Sequence, residues 1–161
     1  AGMASFSRGR LAARMRDRSL RFKIAGTGEE EPRIRERVHE LGLEDRVELL
    51  GAISDEELTG HYARCRAVFF APWNEDYGFV TLEAFRSGKA VVTALDSGGP
   101  AELVRHGETG WVGESTPEGL ATHLDTIARD RGLCERLGQA ALAASASYTW
   151  AAAVEELLLL R

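Results

Sequence analysis

Residues 67–92 read AVFFAPWNEDYGFVTLEAFRSGKAVV, and this stretch decides the fold class. It begins with an apolar run at Ala67–Ala71, passes through a polar loop, shows helical spacing over Phe79–Ser87 and ends in a second apolar run at Ala90–Thr93. Short apolar runs on both sides of an amphipathic segment predict two buried parallel strands joined by a crossover helix.

The same alternation continues on both sides of this unit. Three more short apolar runs predict strands, at Leu20–Ala25, Arg46–Leu50 and near Gly110–Gly113. Amphipathic stretches predict further helices, at Pro32–Leu41, Asp55–Cys65, Pro100–Arg105, Glu118–Arg129, Gly132–Ser145 and Tyr148–Leu160. Ser54 and Pro100 are helix start signals. Strict alternation of strand and helix predicts a doubly wound parallel α/β sheet with three layers.

Length and composition describe an ordinary single domain. The chain has 161 residues, of which 44% are hydrophobic and 28% charged, with a formal net charge of -5. This acidic balance argues against nucleic acid as a partner, because binding to a phosphate backbone needs a basic excess. Cys65 and Cys134 show no paired spacing, so we expect free thiols and a cytoplasmic protein. No run approaches the ~20 apolar residues of a membrane span.

The two ends of the chain carry different expectations. Residues 1–19 are interpreted as a cloning scar followed by the remainder of a first helix over Arg8–Asp17, and residues 20–161 as the domain itself. Leu157–Leu160 are four consecutive leucines that cover more than one helix face. This end therefore either packs on something that the domain lacks or is a buried last helix, and both alternatives stay open.

A candidate anion site follows the strand predicted at Ala67–Ala71. Gly78 lies on the loop at the carboxyl end of that strand, where open α/β sheets bind ligands, and it opens the next helix. The first-turn amides of Phe79, Val80 and Thr81 are expected to lack partners inside the helix. Together with the helix dipole, these amides suit a diphosphate.

Two carboxylates flank this helix start. Glu75 precedes the helix and Glu83 lies about one turn inside it, so both can face one cleft. A carboxylate can accept two hydroxyl hydrogen bonds, which matches a vicinal diol on a ribose or a hexose. Each residue can equally be an ordinary solvent-exposed carboxylate.

Glu75 and Glu83 enclose seven residues, and the stretch around them resembles the E-x7-E signature of glycosyltransferase family 4, the group 1 glycosyltransferases. The resemblance extends from about Leu20 to Trp150 and includes further short motifs in the family's order, at residues 26–28 (GTG), 50–53 (LGAI), 55–58 (DEEL), 97–102 (SGGPAE) and 106–110 (HGETG). It implies a Rossmann-like domain that forms the C-terminal, donor-binding half of a GT-B fold.

The resemblance also implies roles for individual residues. Glu75 would be the catalytic-site carboxylate that holds hydroxyls of the transferred sugar, and Glu83 would bind the ribose. The sugar and diphosphate would meet Gly78, Phe79, Val80 and Thr81, and the nucleobase would lie against Gly51, Ala52 and Ile53. The cleft would be lined further by Gly26, Gly28, Gly98 and Gly99. Gly26 and Gly28 alone form a failed dinucleotide motif, because position 31 is Glu, and a tight turn explains them equally well.

The family needs no metal and no cofactor beyond its nucleotide-sugar substrate, and we expect the same here. No Asp-x-Asp occurs, and His39, His61, His106 and His123 show no ligand spacing. The resemblance further implies a retaining reaction, an N-terminal acceptor-binding domain as partner, and a strand before Leu20 that carries an Arg and a Lys for the diphosphate. It allows association of the full enzyme with the inner face of the membrane, and the isolated domain is expected to be inactive.

Two other readings compete with sugar transfer. One is a sugar epimerase or phosphorylase of the same architecture, although no lysine suited to pyridoxal phosphate is evident. The other is a non-catalytic flavodoxin-like ligand-binding domain, whose phosphorylated class needs an acidic cluster after the first strand, where this chain has Gly26-Thr27-Gly28.

Overall fold

The computed structural model describes residues 11–159 of the chain. Within this range there are five strands, β1 (Phe22–Ala25), β2 (Val47–Gly51), β3 (Ala67–Phe69), β4 (Ala90–Ala94) and β5 (Gly110–Gly113). The helices of the same range are α1 (Leu11–Arg14), α2 (Glu31–Glu40), α3 (Asp55–Arg64), α4 (Phe79–Arg86), α5 (Gly99–Leu103), α6 (Pro117–Arg129), α7 (Arg131–Ser145) and α8 (Trp150–Leu159). Strand and helix alternate as the sequence predicts, and every strand pair is parallel.

Side-chain caps set the starts of two helices, one at the predicted residue and one two residues later. Ser54 begins α3 as predicted, because its hydroxyl accepts from the Glu57 amide at 3.2 Å while the Glu57 carboxylate accepts from the Ser54 amide at 2.8 Å. The last helix begins at Trp150 rather than Tyr148, because the Thr149 hydroxyl accepts from the Ala152 amide and so caps the first turn.

The sheet is divided into two parts in the described residues. β3, β4 and β5 form one parallel sheet with β4 in the middle, β1 and β2 form a second, and no ladder joins the two within residues 11–159. The α/β class is confirmed, but a single continuous sheet is not what these residues build.

The strands of the two parts of the sheet differ in how far they are buried. All five residues of β4 are buried, since β4 has a strand on each side and helices packed against its faces. In β1, by contrast, three of four residues are exposed, and Ile24 leaves 38% of its surface to solvent. Strands of doubly wound sheets are normally covered on both faces, and β1 is much less covered than β4 in the described residues.

The main core encloses β4 and includes the beginning of the described chain. Leu11 and Met15 belong to the same buried cluster as Val92, Trp111 and Leu124. Residues 11–15 are therefore an integral part of the packed fold, although they precede position 20. The predicted remainder of the first helix ends at Arg14, and Arg8 lies outside the described residues.

A buried carboxylate explains why α1 ends early. Asp125 of α6 is 8% exposed, and its two oxygens accept hydrogen bonds from the backbone amides of Arg16 at 3.1 Å and Asp17 at 3.0 Å. These amides are consequently not available to continue a helix toward Asp17. The Asp125 side chain thereby fixes the chain as it leaves α1 and approaches β1.

The exposed face of α8 decides between the two alternatives for the C-terminal leucines. Trp150 is 85% exposed, and Val154, Leu158 and Leu159 also stand in solvent. A buried last helix is therefore wrong for this part of the chain, and Leu160 lies outside the described residues. Across the residues described, no helix has the length and apolar character needed to span a membrane.

Candidate functional site

Two loops at the carboxyl ends of β3 and β4 are joined by backbone hydrogen bonds. The Asn74 amide donates to the Asp96 carbonyl at 2.9 Å, the Glu75 amide donates to the Ser97 carbonyl at 3.0 Å, and the Gly99 amide donates to the Glu75 carbonyl at 2.8 Å. The backbone of Glu75 is thus fixed on both sides. The Glu75 side chain projects from a rigid platform at the edge where open α/β sheets bind ligands.

Gly98 and Gly78 allow these loops to approach closely. At Gly98, where φ is 69°, an added Cβ would lie 2.5 Å from the Glu75 carbonyl oxygen. At Gly78, where φ is 76°, it would lie 2.6 Å from Cγ of Pro100. Only glycine combines this backbone conformation with such contacts. The structure therefore brings together Glu75, Gly78 and the predicted lining residues Gly98 and Gly99.

The first turn of α4 begins at this platform, with one correction to the predicted amides. Gly78 is the N-cap in a left-handed conformation, and its carbonyl accepts a hydrogen bond from the Thr81 amide at 2.8 Å. The Thr81 amide is therefore already engaged, and its side chain is fully buried. The backbone amides of Phe79 and Val80 donate to no acceptor among the described residues. These two amides are therefore available at the start of the helix.

Glu83 is held by a residue that the sequence analysis did not identify. The buried face of α4 consists of Thr81, Leu82, Ala84 and Phe85, which leaves Glu83 exposed. The Tyr62 hydroxyl of α3 donates a hydrogen bond to Glu83 Oε2 at 3.0 Å. Burial raises the pKa of Tyr62, and the neighbouring Glu83 carboxylate raises it further, so the phenol stays protonated.

The residues predicted to contact the nucleobase lie at the end of β2. Gly51 ends this strand with φ 68°, and its carbonyl accepts a hydrogen bond from the Gly26 amide at 2.8 Å. Ala52 and Ile53 then lead into α3, whose far end carries Tyr62. Gly28 accepts from the Glu31 amide at 3.1 Å, which matches the tight strand-to-helix turn expected as its alternative role.

Large apolar side chains are exposed around the first turn of α4. Trp73, Tyr77 and Phe79 are 68%, 49% and 61% exposed, and the rings of Tyr77 and Phe79 lie 4.6 Å apart. Leu95, on the neighbouring loop, is 67% exposed. The three aromatic residues within positions 73–79 are a sequence signal that could have indicated this surface, but roles were assigned only to its glycines, carboxylates and amides.

Comparison with known proteins gives a family match and several relatives. Residues 10–143 match the model of the family described as "Glycosyl transferases group 1". D-inositol 3-phosphate glycosyltransferase of Corynebacterium diphtheriae is 37% identical over 118 residues, which cover 73% of this chain and 27% of that protein. The chain thus spans about a quarter of the length of that relative.

Solved structures show the same fold. Anabaena Alr3699/HepE, crystallised in complex with UDP-glucose, superposes with a TM-score of 0.80 at 25% identity, covering 97% of this chain and 44% of that one. S. aureus TarM superposes with a TM-score of 0.87 at 20% identity, covering 99% of this chain and 34% of that one. At 20% identity, the similarity to TarM shows a shared fold alone.

Proposed function

This chain belongs to the glycosyl transferases group 1 family, and from that premise we propose that it is the donor-binding half of a retaining glycosyltransferase. The donor is a nucleoside diphosphate-sugar, and the acceptor is a glycan, a lipid or a small molecule. The observation that carries the proposal is the interlocked platform of Glu75, Gly78 and Gly98–Gly99 at the first turn of α4. The complex of Alr3699/HepE with UDP-glucose supports the choice of donor.

The diphosphate lies against the first turn of α4 in this proposal. The Phe79 and Val80 amides and the positive end of the helix dipole face the charge that grows on the leaving group. An eight-residue helix supplies part of the needed stabilisation. In this proposal the remaining positive charge comes from basic side chains outside residues 11–159, on the strand that the resemblance places before Leu20.

The sugar and the nucleoside extend in different directions from the diphosphate. Glu75 accepts hydrogen bonds from hydroxyls of the transferred sugar, and its fixed backbone keeps the carboxylate in place during the reaction. Glu83 accepts from the ribose hydroxyls, and the base lies against Gly51, Ala52 and Ile53. Glycine at position 51 leaves room for a flat ring to approach the backbone, since a Cβ there would meet nothing within 4 Å.

Sugar transfer then proceeds without a change in anomeric configuration. The bond between the anomeric carbon and the diphosphate oxygen breaks, and its electron pair leaves with the diphosphate. The acceptor hydroxyl forms the new bond on the face that the diphosphate vacates, and its proton passes to the departing phosphate oxygen. In this proposal a domain outside this chain binds the acceptor, and its closure over the donor excludes water from the cleft.

A transfer assay tests the proposal. The intact protein is incubated with a panel of labelled nucleoside diphosphate-sugars and candidate acceptors, and products are separated and their anomeric configuration read by NMR. We expect label in an acceptor, with the donor's configuration retained. Isomerised donor would indicate an epimerase, and phosphate-dependent release of sugar 1-phosphate would indicate a phosphorylase; either result would overturn the proposal.

A further inference from the structure

We infer that Tyr62 is a positioning residue that orients the Glu83 carboxylate toward the ribose of the donor. This inference rests on the proposed function, because it takes Glu83 as the ribose ligand. The observation behind it is the 3.0 Å hydrogen bond from the Tyr62 hydroxyl to Glu83 Oε2, which joins α3 to α4 across 21 residues of sequence.

Glu83 needs such a partner because it is exposed. A glutamate on an outer helix face samples several rotamers, and fixing one of them for a ligand costs conformational entropy at binding. Tyr62 removes part of this cost in the unliganded protein. Its ring is half-buried and packs against the cluster that contains Phe85 and Val91, so the hydroxyl itself is held by the core.

The hydrogen bond also determines which groups Glu83 can bind. Tyr62 occupies one acceptor position of Oε2, which leaves Oε1 and the remaining position of Oε2 without a hydrogen bond from Tyr62. An ionised carboxylate accepts hydrogen bonds and donates none. The open positions therefore match neighbouring hydroxyl donors such as the 2′ and 3′ groups of a ribose, and they discriminate against a 2′-deoxyribose.

The position of α3 connects this contact to the nucleobase. α3 follows Gly51, Ala52 and Ile53 directly, and the Ser54–Glu57 capping box fixes its first turn. Near its other end, Lys89 Nζ donates to the Ala63 carbonyl at 3.1 Å, so a second contact ties α3 to the segment after α4. α3 thereby acts as a rigid connector between the base-binding backbone and the ribose-binding carboxylate.

The test measures how strongly the intact protein prefers a nucleoside diphosphate over its 2′-deoxy counterpart. The Kd of both ligands is determined by calorimetry for the wild type, Tyr62→Phe, Glu83→Gln, the double variant and Lys89→Met. The variant Tyr62→Phe keeps the packed ring and removes only the hydroxyl. Lys89→Met is the matched control, because it removes the hydrogen bond from Lys89 to the Ala63 carbonyl of α3 without touching Glu83.

We expect Tyr62→Phe to weaken binding of the ribonucleotide about five-fold, the value of one hydrogen bond, and to reduce the preference for ribose. The double variant should be no weaker than Glu83→Gln alone, and Lys89→Met should keep the wild-type preference. If Tyr62→Phe kept the wild-type preference for the ribonucleotide while Glu83→Gln lost that preference, the role of Tyr62 would be overturned. An unchanged preference in Glu83→Gln would instead overturn the ribose assignment itself.

Discussion

Gly98 passes so close to Glu75 that a methyl group on its α-carbon would lie 2.5 Å from the Glu75 carbonyl oxygen. The two residues face each other in an isolated parallel bridge between the loops that follow β3 and β4. This contact fixes the backbone from which the proposed sugar-binding carboxylate projects. We therefore expect stability and transfer activity to depend on the same residue pair.

Replacing Gly98 by alanine is therefore expected to affect both properties. The left-handed conformation alone should cost about 1–3 kcal/mol of unfolding free energy, and the clash with Glu75 should also displace the carboxylate and lower kcat. Urea denaturation and the transfer assay measure the two effects. Gly132→Ala in α7 is the control, because the nearest atom to its added Cβ lies 3.6 Å away, and equal losses in both variants would contradict this account.

Glu75→Gln should remove most of the transfer activity while leaving the fold intact. The amide keeps the size of the side chain but loses the negative charge and one acceptor, so we expect a decrease in kcat of about 10²–10³-fold. Steady-state kinetics with the accepted donor check this. Glu135→Gln, an exposed carboxylate of α7 paired with Arg131, should retain full activity; a fully active Glu75→Gln would exclude the catalytic role.

Asp125→Ala should destabilise the chain by about 1–3 kcal/mol, because the amides of Arg16 and Asp17 would lose their acceptor. The measurement is the free energy of unfolding in urea, and Asp45→Ala serves as a control at an exposed carboxylate. The released segment would also exchange its amide hydrogens faster. Unchanged protection at positions 16 and 17 would show that Asp125 is not what holds this segment.

His123 should make the fold sensitive to mild acid. Burial lowers the pKa of His123, and the nearby His106 lowers it further, so the folded state takes up a proton less readily than the unfolded state. The contribution of neutral His123 to the free energy of unfolding is present at neutral pH. It is lost as the pH falls below about 6.5, the pKa of histidine in the unfolded chain. His123→Gln should therefore show a smaller decrease in Tm between pH 7.5 and pH 5.5.

The matched control for this pH effect is His39→Gln. The side chain of His39 is 84% exposed and is paired with Glu44 at the surface, so its removal should leave the decrease in Tm close to that of the wild type. Equal decreases in wild type and His123→Gln would assign the acid sensitivity to other groups.

Local signals in the sequence were sufficient for the helices and strands. Apolar runs predicted all five strands within a few residues, and the Ser54 cap placed the start of α3 correctly, because such signals act within one turn of the chain. The division of the sheet could not be read from periodicity. The division depends on which strands lie side by side. The apolar pattern of β1 does not indicate which strand lies beside it.

The candidate site was predictable in part. The resemblance predicted roles for Glu75, Glu83 and the nearby glycines, and the structure brings Glu75 together with Gly78, Gly98 and Gly99. The expectation that the Thr81 amide lacks a partner is wrong, because this amide donates to the Gly78 carbonyl, a contact that appears only in the backbone geometry. Tyr62 was missed because it contacts Glu83 through tertiary packing of two helices, and no spacing in the sequence encodes such a contact.

The central claim is that this domain binds a nucleoside diphosphate-sugar through Glu83, and saturation-transfer NMR on the intact protein tests it most directly. A panel of donors is screened against wild type, Glu83→Ala and Glu135→Ala. We predict saturation of the ribose H2′ and H3′ protons of at least one donor in wild type and Glu135→Ala, and its loss in Glu83→Ala. No saturation by any donor, or an undiminished ribose signal in Glu83→Ala, would contradict the claim.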